Sequence, residues 1–308
     1  MITILMATYN GEKYVAEQIE SLLHQTYTEF QLYIRDDAST DNTLAILKEY
    51  QNQYPEKIHV QANEKNTGNA KHNFIKLMID HHDDYIMLCD QDDVWLGTKI
   101  EHTLAKVKEM ERQFGTNMPI AVHTDLTIVD ESLNILKPSF REASNMNFER
   151  TQFHIQLVQA IMTGCTVMYN RALGEYITKE PEYMVMHDWW LMLIASAFGK
   201  VGHLDEQTIL YRQHSGNAIG AVEVKSLRYR INRVLHRDKV KRDIAESYRQ
   251  AESFKKMYGS LLEDENRKML DFYCAIPEHN KIQRVWEIYQ LGVVKSGWIH
   301  LLSTWLFR

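Results

Sequence analysis

Along the first 130 residues, short apolar runs alternate with stretches of helical period. Residues 2–9 form a run that suits a strand buried on both faces, and the stretch after it sets Val15, Ile19, Leu22 and Leu23 on one helical face. Residues 31–35 predict a second strand, Ser39-Thr40-Asp41 offers cap chemistry for a helix through Tyr50, and residues 58–61 predict a third strand. A fourth strand is predicted over 85–89, a long polar helix over 99–113 and a fifth strand over 120–123. Farther along, 163–168 reads as a small-residue strand, and His187-Asp188 opens an apolar helix that begins Trp189-Trp190-Leu191. From Val222 onward the pattern is helical only. Strands alternating with helices imply an α/β fold, a Rossmann-like, mostly parallel sheet flanked by helices, here with a C-terminal helical extension.

Ligands of such sheets sit beyond the carboxyl ends of the strands. Thr8-Tyr9-Asn10, Asp36-Asp37 and Asp90-Gln91-Asp92-Asp93 each follow the last apolar residue of a predicted strand, so the fold is expected to gather them on one rim. Charge divides the chain near Gly220. Residues 1–220 hold 18 Lys and Arg against 30 Asp and Glu, and 221–308 hold 17 against 11, so a basic tail follows an acidic body. Two units are therefore expected: an acidic α/β domain over 1–220 and a basic helical region over 221–308. Composition, with 44% apolar and 25% charged residues, excludes general disorder. Three widely spaced cysteines suggest neither a disulfide framework nor a zinc site. The polar Tyr9-Asn10-Gly11-Glu12 leaves no room for a leader's apolar segment, and no apolar run reaches the ~20 residues that span a bilayer. A cytoplasmic location is the expectation.

Several residues could carry chemistry, each beside a plainer role. Three carboxylates in Asp90-Gln91-Asp92-Asp93 repel one another at a strand end unless a cation is present, and oxygen ligands suit Mg2+ or Mn2+ on a diphosphate; the plainer role is to cap a turn and the next helix. Asp37 stands where a carboxylate can accept the imide N–H of a pyrimidine, while Ser39 or Asp41 caps the following helix. Asn66-Thr67-Gly68-Asn69-Ala70-Lys71 is a turn into a helix whose amides, Gly68 and Lys71 could meet a phosphate. Asp188, at a helix N-terminus, is either a cap or a carboxylate poised to take a proton from a sugar hydroxyl. His214, in Tyr211-Arg212-Gln213-His214, is either structural or a ligand.

As an ordered set, Thr8-Tyr9-Asn10, Asp36 to Asp41, Asp90 to Asp93, Thr163-Gly164-Cys165, His187-Asp188-Trp189-Trp190 and Tyr211 to His214 resemble family 2 glycosyltransferases of the GT-A fold over about residues 2–220. The Cys89 to Trp95 and His187 to Trp190 segments are similar to bacterial rhamnosyltransferases of cell-wall and capsular polysaccharide assembly. The resemblance implies that Thr8 and Tyr9 line the nucleotide pocket, Asp37 reads the pyrimidine, and Asp90 and Gln91 lie against ribose and diphosphate. It further implies that Asp92, with Asp93 and His214, holds Mn2+ or Mg2+, and that Asp188 is the general base. The implied reaction is an inverting displacement from a dTDP- or UDP-linked donor, with dTDP-β-L-rhamnose as the expected sugar source, onto a glycan or polyprenyl-linked acceptor. Many family members carry Gly where Ala38 stands, so this turn has to be made without a φ-permissive residue.

The basic tail, with Lys225, Arg228, Arg230, Arg233, Arg237, Lys239, Lys241 and Arg242, and the terminal Trp298 to Arg308 suit an anionic membrane surface, or else a solvated helix and a hydrophobic terminus docked on the body or on a second copy in a homodimer. With the family reading, the membrane's inner face is the expected partner and nucleic acid is not. Two rival functions stand beside transfer. Residues 85–94 also fit the nucleophile motif of haloacid-dehalogenase-type phosphatases, with Asp90 phosphorylated and Asp92 as acid/base, and a GT-A domain can also act as a non-catalytic nucleotide-sugar scaffold.

Overall fold

The structure is a computed structural model that describes residues 1–214, 237–280 and 283–284. Chain contacts divide it into two compact units. The first comprises Met1–Phe140, Met162–Glu180 and Gly199–Ala221, and the second Arg141–Ile161, Pro181–Phe198 and Val222–Arg308.

A nine-stranded sheet forms the first unit. Its strands are β1 (Ile2–Thr8), β2 (Phe30–Asp36), β3 (Ile58–Ala62), β4 (Tyr85–Cys89), β5 (Val94–Trp95), β6 (Ile120–Val129), β7 (Ile135–Lys137), β8 (Val167–Asn170) and β9 (Lys200–Arg212). They lie in the order β3-β2-β1-β4-β8-β6-β9-β5, with β7 paired to β6. β1 runs parallel to β2 and β4, β2 to β3, and β6 to β9. β8 runs antiparallel between β4 and β6, so β1 to β4, β6 and β9 share one direction and bring their carboxyl ends to one rim. All seven residues of β1 are buried, as expected of a central strand covered on both faces, whereas β2 buries only alternate residues.

The helices of this unit are α1 (Val15–Leu23), α2 (Thr43–Gln53), α3 (Ala70–Asp80) and α4 (Lys99–Phe114). α1 buries Val15, Gln18, Ile19 and Leu22, leaving Leu23 half-buried at the edge of the predicted face. α4 buries Ile100, Thr103, Leu104, Val107 and Met110, a stripe at helical spacing on an otherwise polar element. α5 (Phe140–Ser144) follows the hairpin β6–β7.

Two sequence expectations need correction, and one pair of alternatives is resolved. Residues 163–168 are not one strand: Gly164–Thr166 is a single 3-10 turn in which the Thr166 amide and hydroxyl both donate to the Thr163 carbonyl, and β8 starts only at Val167. The predicted strand 120–123 runs on to Val129, and β9, thirteen residues long, pairs along it. Helix α2 starts at Thr43, and it is Asp41, not Ser39, that accepts the Thr43 amide, at 3.0 Å.

The second unit is helical among the described residues. It contains all of α5 but Phe140, with α6 (Phe153–Gln156), α8 (His187–Phe198), α9 (Arg237–Tyr258) and α10 (Asp264–Ala275), while the short α7 (Arg171–Gly174) belongs to the first unit. Its core is aromatic. The ring of Phe254, fully buried, lies 5.5 Å from Phe153, 5.4 Å edge-on from Trp190 and 4.9 Å from Tyr258. Such pairs add about 0.5–1.5 kcal/mol each to the burial of their large faces. No described helix is long and apolar enough to cross a membrane. Lys225, Arg228, Arg230 and Arg233 of the basic cluster, and the Trp298–Arg308 segment, lie outside the described residues; Arg237, Lys239, Lys241 and Arg242 lie on α9, the last two exposed.

Candidate active site

The carboxyl rim of the sheet is held together by short polar contacts between loops distant in sequence. Asp36 closes β2: its carboxylate accepts the Thr8 hydroxyl at 2.9 Å, the Ser39 amide at 2.9 Å and the Ser39 hydroxyl at 2.6 Å. Thr8 is buried and spends its hydroxyl on this contact, which makes it a strut of the rim. The turn that follows forces Ala38 to φ +57°, the left-handed region, and Asn10 opposite adopts φ +47°. Asn10 donates its amide to Ser39 Oγ and accepts the Thr40 amide, locking the two loops.

Tyr9, exposed at the rim, is bracketed by Gln91, whose Oε1 accepts the Tyr9 amide at 2.9 Å and whose Nε2 donates to the Tyr9 carbonyl at 3.0 Å. That bracket needs Gly11, because a Cβ there would overlap the Gln91 amide. Asp37 is 3% exposed. It accepts Asn63 Nδ2 at 2.7 Å, the Thr67 hydroxyl at 2.8 Å and the Thr67 amide at 3.0 and 3.1 Å. Its carboxylate is thus well supplied with donors, and it draws the 66–71 turn to the rim. There Gly68 takes φ +78°, and Asn69 caps α3 by accepting the Lys71 amide at 3.1 Å. Gly68 is exposed and Lys71 half-buried.

The acidic run splits in two directions. Asp92 faces His214 across 122 positions of sequence, with Oδ2 and Nε2 2.8 Å apart and both side chains mostly enclosed, 15% and 13% exposed. Asp93 turns inward. It is fully buried, its Oδ1 accepts the Arg212 amide at 3.1 Å, and its Oδ2 has no hydrogen-bond donor of ordinary geometry, with the weakly donating Cys165 thiol close by. Burial, and then the charges of Asp92 and Asp90, push the Asp93 carboxyl well above the usual range. Asp90, Asp93 and Cys165 place one ligand atom each within 4.8 Å of one another. Beneath them Lys99 is wholly buried, its ammonium 4.7 Å from the Trp95 ring centroid and 3.4 Å from Thr208 Oγ1, and burial lowers its pKa to about 8. Because β5 follows the run, these carboxylates do not cap a helix.

A divalent cation fits the Asp92 and His214 pair better than the Asp90, Asp93 and Cys165 group. The former offers a carboxylate and an imidazole at the rim, a donor set suited to Mn2+. The latter offers a thiol that burial holds protonated and a carboxyl with raised pKa, beside a buried lysine.

Sequence reasoning did not single out Arg212, Tyr14, Glu17 or Glu131. Arg212 stood inside a quoted motif, but only coordinates show that it spans the loops around the Asp92 and His214 pair. Asp188 lies in the second unit, in the first turn of α8, with Oδ1 accepting the Trp189 amide at 2.7 Å. Its neighbour His187 is buried, and burial lowers its pKa.

Comparison with known proteins gives the chain its family and its fold relatives. The family model for glycosyl transferase family 2 matches residues 3–177. A dTDP-rhamnosyl transferase of Shigella flexneri, RfbG, is 31% identical over 229 residues, 70% of this chain and 74% of its own length. Among solved structures, TarS of S. aureus residues 1–349 with UDP-GlcNAc superposes with a TM-score of 0.55 at 16% identity, covering 99% of this chain and 89% of that one. The mannosyltransferase PcManGT of Pyrobaculum calidifontis with GDP-Man and Mn2+ gives 0.53 at 15% identity, covering 99% and 84%. The last two establish the GT-A fold, while the family match and the Shigella relative establish more: the chain belongs to glycosyl transferase family 2 and is a glycosyltransferase.

Proposed function

We propose that the chain transfers L-rhamnose from dTDP-β-L-rhamnose to a glycan or polyprenyl-linked acceptor in surface-polysaccharide synthesis, inverting the anomeric configuration and using Mn2+ or Mg2+. The observation that carries the chemistry is the 2.8 Å approach of His214 to Asp92 at the sheet's carboxyl rim. The choice of sugar leans on the Shigella relative, named a dTDP-rhamnosyl transferase.

In this reading Asp92 and His214 hold the cation, which when bound neutralises charge gathering on the departing diphosphate. Asp37 accepts the imide N–H of thymine or uracil in exchange for one of its Thr67 donors, and the exposed Tyr9 ring, held by Gln91, covers the base or ribose. Gly68 and Lys71 lie on the turn that Asp37 anchors, within reach of the diphosphate side of the pocket. Asp188 takes the proton of the acceptor hydroxyl as its oxygen bonds to the anomeric carbon, the bond from that carbon to the β-phosphate oxygen breaks, and dTDP leaves from the opposite face. A β-linked donor thus gives an α-linked product. Positioning of the two reactants contributes much of the rate. The basic tail serves attachment at the inner membrane face, where a polyprenyl-linked acceptor is presented.

The test is turnover of dTDP-β-L-rhamnose against UDP- and GDP-sugars, with product configuration read by NMR. Asp188→Asn is expected to cut turnover by ~10²–10⁴-fold while dTDP binding stays unchanged. Unchanged turnover would assign the base elsewhere.

A further inference from the structure

Arg212 ends β9 at 2% exposure, and its contacts reach three other parts of the first unit. Its backbone amide donates to Asp93 Oδ1 at 3.1 Å and its Nε to the Asp92 carbonyl at 2.9 Å, so it grips the turn that carries the acidic run. Nη1 donates to the Glu131 carbonyl at 2.6 Å, in the turn after β6. Nη2 pairs with the Glu17 carboxylate on α1. The guanidinium carbon lies 4.6 Å from the centroid of the Tyr14 ring, and the same ring lies 4.9 Å from the His214 imidazole.

Burying a guanidinium costs several kcal/mol that its partners only partly return, and an apolar side chain could close a strand end with less penalty. What an apolar side chain could not do is hold two loops at a fixed separation through directed bonds. Asp92 is gripped by its own carbonyl, while His214 stands two residues beyond Arg212, with Gln213 pinned between them by its amide on the Val129 carbonyl at 2.9 Å. The ladder of β5 with β9, which sets Val94 opposite Leu210, and the Arg212 amide on Asp93 bring the two segments together, and the Arg212 side chain adds the directed bonds that span them. We infer that Arg212 is a positioning residue that sets the separation of Asp92 and His214. The inference rests on the proposed role of that pair as the cation site, and it extends that role to a residue that touches neither cation nor sugar. Lysine cannot replace it, since an ammonium lacks the planar fork that meets Asp92, Glu131 and Glu17 together.

Two readouts test this, each taken well below the melting temperature of every variant so that all are folded. The first needs no metal. In a chain carrying Asp92→Cys and His214→Cys, the two thiols should be bridged rapidly by a short bifunctional thiol reagent, the natural cysteines Cys89, Cys165 and Cys274 being buried. Adding Arg212→Lys should slow that cross-linking about tenfold, and adding Glu17→Gln, which removes one leg, should slow it less. The second readout is Mn2+ binding in the presence of dTDP to chains with Asp92 and His214 intact, where Arg212→Lys should weaken affinity about tenfold. A lower melting temperature with cross-linking unchanged would overturn the inference, leaving Arg212 as a clamp that only stabilises. Should the natural chain fail to retain Mn2+ with dTDP, the cation reading falls, and the cross-linking rate by itself still decides whether Arg212 sets the spacing.

Discussion

Ala38 pays at a single residue for the shape of the rim. Its φ of +57° places an L side chain in a region that costs about 1–2 kcal/mol, in a turn fixed on both sides by Asp36 and Asn10. Ala38→Gly relieves that strain but adds freedom to the unfolded chain, so a net gain of about 0.5–1 kcal/mol is expected in urea denaturation. Loss of stability would show that the turn is not strained. The need for an unusual backbone here was legible in the sequence, because an Asp-Asp-Ala-Ser block stood where the family pattern has glycine. Lys99 was not legible, since a lysine in a polar helix reads as solvated until packing shows it enclosed. With its pKa lowered by burial from 10.5 to about 8, the charged amine costs stability below pH 8, and the cost fades as pH rises toward 10.5, where the unfolded chain also loses the proton. Lys99→Met should therefore stabilise the fold by about 1–3 kcal/mol at pH 7 and by little at pH 10, as followed by urea midpoints. An equal gain at both pH values would remove charge burial as the cause.

At the scale of elements, the strands with continuous apolar runs could be read and the polar ones could not. β1 and β4 stand within a residue of their expected limits because every position but Tyr85, the first of β4, is buried. β6 was cut short at His123 because Thr124, Asp125 and Thr127 look like loop. Inside the sheet they are satisfied instead: Thr124 shares a hydrogen bond with Thr208 at 2.7 Å, Asp125 accepts Ser139 at 2.6 Å and Gln207 at 3.0 Å, and Thr127 donates to the Pro138 carbonyl at 3.1 Å. β9 escaped notice for the same reason, as only three of its thirteen residues are buried. Its start is fixed by close backbone approach, where the Lys200 amide donates to the Pro119 carbonyl at 2.8 Å. A Cβ on Gly199 would overlap that same carbonyl, so Gly199→Ala has to move backbone and not merely a side chain. It should destabilise by about 2–4 kcal/mol in thermal or urea melts, and a neutral result would show that the β6–β9 entry is looser than the register implies.

Over the whole molecule, the order of motifs along the chain carried the family assignment, and the sheet explains why order was enough. β1, β2 and β4 run side by side in one direction, so Thr8, Asp36 and the acidic run reach one rim whatever the loops between them do. The pairing of β5 with β9, which sets Val94 opposite Leu210, then delivers His214 to Asp92, which no spacing along the chain could reveal. The second unit gathers segments from three parts of the chain, including the one that carries Asp188, an arrangement invisible to a reading that divides the chain once, by charge.

The account turns on whether a nucleoside diphosphate and a divalent cation meet at Asp92. Calorimetric titration of dTDP into the natural chain and into Asp92→Asn, each with and without Mn2+, tests this most directly. Mn2+ should tighten dTDP binding about tenfold or more in the natural chain and leave Asp92→Asn unaffected. Binding indifferent to Mn2+ in the natural chain, or an equal Mn2+ effect in both, would contradict it.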